Sequence, residues 1–163
     1  MKKVAIVMGS DSDLGTMQKA IDKLGSLEIA FEVRILSAHR TPEACAQFSR
    51  GAEENGFGAI IAAAGKAAHL AGAIAANTVL PVIGVPVKSS TLDGLDALLS
   101  TVQMPSGMPV ATVAIDGASN AALLAAQMIA LSDPALSERI AALRREQTEK
   151  VLRRDAEIQA QFA

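Results

Sequence analysis

The sequence predicts an α/β fold, a three-layer sandwich with a parallel, flavodoxin-like sheet at its centre. Three observations predict it. Short, almost wholly apolar runs recur along the chain, as expected of strands covered on both faces. Segments of helical period separate them, so successive strands run parallel through helical crossovers. The polar, chemically capable residues gather just after the apolar runs, which places them on the rim where ligands bind in open sheets of this kind.

Taken in order, KVAIVM (3–8) is the first strand, and Leu14, Met17, Ile21 and Leu24 then recur at helical spacing until Gly25. FEVRIL (31–36) is the second strand. Thr41–Pro42–Glu43 reads as a cap followed by proline at the first helical position, opening a helix that runs to about Gly56. GAIIAAA (58–64) is the third strand, AAHLAGAIAANT (67–78) a helix, and PVIGVPV (81–87) the fourth strand. A short helix falls between Asp93 and Met104, before a fifth strand in MPVATVAI (108–115). Ala118 to Ser132 is an alanine-rich helix. Asp133–Pro134 ends it and starts a C-terminal helix from about 134, with Leu136, Ile140 and Leu143 on one face. There is no low-complexity linker and no internal repeat, so residues 1–163 are expected to form a single domain.

Composition excludes several classes of function. Apolar residues make up 50% of the chain, which argues against disorder. Aromatic residues are only 2%, and the formal charge of −2 comes from interspersed acids and bases. Little is left to stack on bases or to grip phosphodiesters, so nucleic acid is not an expected partner. Every apolar run is interrupted well before membrane length, so a membrane is not expected either. The run after MKK meets Gly9–Ser10–Asp11 instead of a cleavage site and reads as a strand, not a signal peptide; the expected location is the cytoplasm. Cys45, the only cysteine, lies in EACAQF and reads as a small hydrophobe on the buried side of a helix. No HxH or HExxH spacing occurs, so no metal is expected, and Ser10 lacks the GxSxG elbow of a serine hydrolase.

The rim carries the chemistry. GSDSD, SAHR, AGKAAH and KSSTLDG follow the first four strands, and the four loops converge. In GSDSDLGTM (9–17), a glycine turn, hydroxyls and a helix N-terminus form a phosphate seat, while Ser10 and Ser12 serve equally well as caps. Asp13 would repel a phosphate and suits ribose hydroxyls. In SAHRTP (37–42), Arg40 has the fork geometry for a phosphate or carboxylate, and His39 is of the residue type that exchanges protons near neutral pH. A structural histidine at a strand end is the plainer alternative. His69 is expected inside a helix beginning near Ala67, where an orienting role is as natural as proton transfer. MPSGMP (104–109) reads as a bent loop placed to cover a small ligand.

Together these stretches resemble the PurE family, class I, the 5-(carboxyamino)imidazole ribonucleotide mutases of de novo purine synthesis. The likeness runs through VAIVMGSDSD (4–13), SAHRTPE (37–43), AAHLAG (67–72), LPVIGVPVKS (80–89), GLDALLSTVQMPSGMPVATVAI (94–115) and NAALLAAQMIA (120–130). It implies a carboxylate moved from an exocyclic amine to the neighbouring ring carbon, with no cofactor and no metal. It implies that His39 is the acid–base residue and that Arg40 holds the phosphate. Ser10, Ser12, Asp13 and Ser37 become substrate-binding positions, and Ala68, His69 and Leu70 line the carboxylate and imidazole side. Arg40 and Pro42 in SAHRTP favour class I. The resemblance also implies a homo-octamer, and the small-residue faces of the AAHLAGAIAANT and NAALLAAQMIA segments are expected to make close contacts between chains. A carboxylase using CO2 directly and a non-catalytic flavodoxin-like nucleotide-binding module are the alternatives. The chain departs from the family pattern at Ala63, Lys66, Ala71 and Asp116, and Lys66 in a glycine-rich loop is the departure of most consequence. Its backbone could be ordinary or locally strained; it is expected to be ordinary, so that lysine is tolerated, with the ammonium near the pocket mouth.

Overall fold

The apolar run Lys3–Met8 forms β1, the second of five strands in order β2-β1-β3-β4-β5, all parallel, in a computed structural model that describes residues 1–162. The chain runs β1 (Lys3–Met8), α1 (Leu14–Ser26), β2 (Phe31–Ile35), α2 (Pro42–Gly51), β3 (Phe57–Gly65), α3 (Leu70–Ala75), β4 (Val82–Val87), α4 (Leu95–Val102), β5 (Ala111–Thr112), α5 (Ala118–Ala130) and α6 (Pro134–Phe162). Short 3-10 turns at Asp11–Asp13 and Leu92–Gly94 precede α1 and α4. This is the flavodoxin-like three-layer sandwich.

Alternation along the strands builds two cores. Val4, Ile6 and Met8 of β1, with Ile61, Ile83 and Val85, face α1, α5 and the start of α6. Ala5 and Val7, with Ile60 and Ala62, face the side where Cys45 of α2 and Leu70, Ala71 and Ile74 of α3 pack. Each fully buried Ile or Leu is worth about 1.5–3 kcal/mol, so these side chains and not the polar rim hold the sheet. Gly84 lets α4 approach β4 closely: a Cβ there would lie 2.3 Å from Thr101 Cγ2. The strand order reverses between β1 and β3, and a crevice opens above their carboxyl ends.

Several elements differ from the expected ones. The helix opened by Pro42 stops at Gly51, because residues 52–56 turn through Gly56 at φ 83 to enter β3. Helix α3 covers only Leu70–Ala75, so His69 stands at its N-cap position and not inside it. The fifth strand is two residues, Ala111–Thr112, paired with Ile83 and Gly84. β2 is an edge strand without full cover, with Phe31 37% and Ile35 56% exposed. The expected intermolecular use of α5 is also corrected. Ala118, Ala121, Ala122, Ala125 and Ala126 are fully buried within their own chain, where their small size lets α5 lie close on the sheet and α1.

α6 has another character. Its 29 residues extend about 43 Å, yet only Leu136 and Ile140 are buried and every described residue after Leu143 is exposed. The Glu149–Arg153 and Arg154–Glu157 pairs, at 3.7 and 2.8 Å, support it along its own length. No helix among the described residues is long and apolar enough to cross a membrane.

Candidate active site

The loop after β1 is organised by Ser10. Its extended backbone ends the strand, and its Oγ accepts from the Ser12 N–H at 3.3 Å, lies 3.0 Å from Ser12 Oγ, and donates to Asp11 Oδ1 at 3.1 Å. Ser10 therefore caps the 3-10 turn. Asp13 occupies the N-cap position of α1 but makes no side-chain capping bond there, and it is buried, with 8% exposed. Burial pushes its carboxyl above the ordinary value of 3.8; a backbone hydrogen bond from Ser10 opposes that, and the nearby Asp11 adds to it.

The loop after β2 is tied to itself and to the first loop. Ser37 Oγ accepts from the Arg40 N–H at 3.1 Å and from Arg40 Nε at 3.4 Å. Arg40 Nη2 donates to the Gly9 carbonyl at 2.8 Å, which joins the two loops. Thr41 stands at the N-cap position of α2 with Pro42 after it, as expected, but its hydroxyl does not cap. Thr41 Oγ1 accepts from the Ser37 N–H at 2.9 Å and donates to the Ser37 carbonyl at 3.2 Å.

The third loop brings the second histidine across. Lys66 leaves β3 in the left-handed region at φ 55, so its backbone is strained and not ordinary as expected. The His69 N–H donates to the Ala67 carbonyl at 2.9 Å. His39 Nε2 and His69 Nδ1 then meet at 2.7 Å, with ring planes at 87°. Two N–H groups cannot both point into so short a contact, so one nitrogen donates and the other accepts. Two residues far apart in the sequence thus share one hydrogen bond.

On the fourth loop, two aspartates hold Lys88. Its Nζ lies 2.8 Å from Asp93 Oδ1, and its N–H donates to Asp116 Oδ1 at 2.9 Å. The Asp93 hydrogen bond and charge raise the Lys88 ammonium above its ordinary pKa. Asp93 and Asp116 both adopt left-handed backbones, φ 56 and φ 57, which aspartate tolerates better than most residues.

A cleft of about 580 Å³ lies among these loops, within the range usual for small-ligand sites. Ser10, Ser12, Asp13, Ser37, His39, Arg40, His69 and Leu70 line it. Ala68 does not: it is buried just beneath, 2% exposed. No residue of the loop 104–109 lines the cleft of the single chain either; the loop turns at Gly107 (φ 91), and the Met104 side chain lies near Gly72. Lys88 and Ser89 line the cleft without having been singled out from the sequence, although their place after the fourth strand was the signal for them. Among the described residues, no three His, Cys, Asp or Glu groups come together as a metal site.

Comparison with known proteins gives concordant results. Residues 3–150 match the family model described as AIR carboxylase. A Brucella melitensis protein named N5-carboxyaminoimidazole ribonucleotide mutase is 57% identical over 153 residues, covering 93% of this chain and 94% of that one. Proteins of the same name from Mycobacterium tuberculosis and Escherichia coli are each 54% identical, covering 96% and 92% of this chain and 90% of their own lengths. Among solved structures, the crystal structure of Treponema denticola PurE superposes with a TM-score of 0.85 at 30% identity, covering 94% of this chain and 96% of that chain.

Proposed function

The chain belongs to the AIR carboxylase family, and from that membership we propose that it is a mutase of purine biosynthesis, converting 5-(carboxyamino)imidazole ribonucleotide to 4-carboxy-5-aminoimidazole ribonucleotide. The reading rests on the shared name of relatives 54–57% identical to it. The observation that supports a mechanism is the 2.7 Å histidine contact in the cleft.

In this mechanism His39, protonated, gives its proton to the exocyclic nitrogen as the N–C bond to the carboxylate breaks and CO2 is released. The adjacent ring carbon attacks the trapped CO2. Neutral His39 then removes the proton from that carbon and restores aromaticity, so one group serves both halves and no net proton is consumed. His69 acts through the shared hydrogen bond: it fixes the tautomer and orientation of His39 and leaves His39 Nδ1 for the substrate. Arg40, with the Ser10–Ser12 turn and the first N–H groups of α1, takes the phosphate. Asp13 and Ser37 address the ribose, and Leu70 and the backbone at Ala68 support the imidazole side. A closed pocket is needed to hold CO2 between the two steps.

The working unit in this reading is a homo-oligomer, an octamer by family, in which neighbouring chains complete the pockets. Support comes from apolar residues left open on the single chain: Leu95, Leu99 and Val102 on α4, and Val151 and Leu152 on α6. A stable monomer in sedimentation at micromolar concentration would contradict it. The activity is tested by mixing the protein with the carboxyamino nucleotide and following ultraviolet absorbance. Interconversion of the two carboxylated isomers is expected. Binding without turnover would instead make the protein a nucleotide-binding module, and carboxylation of the uncarboxylated nucleotide at low bicarbonate would make it a direct carboxylase.

A further inference from the structure

Lys66 is the cleft residue whose conformation the fold does not explain. Its backbone is left-handed, and its side chain is exposed where it lines the cleft. Aspartate or asparagine relieves such a conformation by bonding to nearby backbone, as Asp116 does with the Lys88 N–H. Lysine has no acceptor atom with which to do this. Nor does it gain a charge partner, since among the described residues no ion pair includes Lys66. Backbone strain kept without a local return at a cleft is grounds for seeking a ligand.

The charges around the cleft indicate which ligand. Lys88 is already paired with Asp93, and Asp13 is buried. Arg40 bonds to the Gly9 carbonyl and to Ser37, but to no carboxylate among the described residues. Two cations, Arg40 and Lys66, thus face the cleft without an acidic partner. The substrate read above brings two anions, a phosphate and a carboxylate. Arg40 is joined to the first loop, beside the hydroxyls and N–H groups suited to phosphate. Lys66 shares its loop with His69, on the side where the His39–His69 contact lies.

Resting on the mutase reading, we propose that Lys66 is a specificity-determining residue whose ammonium binds the migrating carboxylate and directs released CO2 to the ring carbon instead of solvent. An ammonium attracts carboxylates but has little hold on neutral CO2. It therefore stabilises both carboxylated nucleotides and the transition state in which CO2 regains charge, and gives nothing to CO2 that escapes. The N–C electron pair stays on the nitrogen, which takes the His39 proton. The ring carbon supplies the pair for the new C–C bond and returns its proton to His39. Lys66 keeps its own proton throughout.

The test is equilibrium binding of two probes that share the phosphate: 4-carboxy-5-aminoimidazole ribonucleotide and the uncarboxylated aminoimidazole ribonucleotide. Lys66→Met removes the charge and keeps a long side chain in the same backbone; Lys66→Arg keeps the charge. Lys66→Met is expected to weaken the carboxylated probe about tenfold, the scale of one charge-assisted hydrogen bond, and to leave the uncarboxylated probe unchanged. Lys66→Arg should retain most of the discrimination. With labelled carboxylate, Lys66→Met should also release more label as free CO2 per turnover. Equal weakening of both probes would put Lys66 on the phosphate and overturn the proposal, as would no weakening of either. The mutase reading fails separately, if the wild-type protein binds both probes but interconverts no carboxylated isomers.

Discussion

The two halves of the cleft are built differently. The loops after β1 and β2 satisfy their polar groups locally through Ser10, Ser12, Ser37 and Thr41, and no residue from 9 to 13 or 37 to 41 has a positive φ. The loops after β3, β4 and β5 contain Lys66, Leu92, Asp93 and Asp116, all left-handed and none a glycine, and of these Lys66 lines the cleft. One half is a relaxed, prearranged seat of N–H and hydroxyl groups, as suits a phosphate that does not react. The other half holds its strain at Lys66 within the cleft and at Leu92, Asp93 and Asp116 outside its lining, and Lys66 lies where the proposed chemistry moves a group. The His39–His69 contact joins the two. Strain of about 1–3 kcal/mol per residue is affordable here because the sheet beneath is packed on both faces.

The largest test of this contrast is His39→Asn. Loss of the shared acid–base group should lower turnover about 10²–10⁴-fold, with nucleotide affinity and melting temperature near those of the wild type. A folded variant with normal turnover would reduce His39 to a structural residue. Next is Arg40→Ala, in the relaxed half. Affinity for both carboxylated and uncarboxylated nucleotides should fall about 10–100-fold, the scale of hydrogen bonds to a charged group, while turnover at saturation changes less. If instead turnover collapses with affinity intact, the two halves do not divide binding from chemistry.

Stability changes are smaller and run in the opposite sense. Lys66→Gly removes a left-handed non-glycine residue, so thermal unfolding should shift upward by about 2–4 °C for about 1 kcal/mol of strain relieved. A lower melting temperature would mean that the strained half is held by the Lys66 side chain itself. The smallest effect is expected for Asp13→Asn. Because the folded-state pKa of Asp13 lies above the unfolded value, the folded protein binds that proton more tightly. Ionised Asp13 therefore costs stability: the cost is absent in acid and grows as pH rises through the folded-state pKa. Asp13→Asn should melt higher than the wild type at neutral pH, the difference closing toward pH 4, and should bind nucleotide less well. A constant difference at every pH would assign the effect to packing instead.

The sequence by itself determined the order of the elements, because alternating apolar strands and amphipathic helices leave few ways to bury both faces of a sheet. It also placed Ser10, Ser37, His39, Arg40 and His69 on one rim, since each follows an apolar run. Tertiary structure alone decided the rest. No spacing in the chain indicates that His39 and His69 touch, because their meeting depends on β1 lying between β2 and β3 and on α3 starting late enough to leave His69 at its end. The small faces of α5 could equally have met another chain; the sheet and α1 took them first. Lys66 was legible as an odd residue, but whether it was strained was not. That depends on the left-handed step by which the chain leaves β3, a conformation that lysine's local preference does not favour.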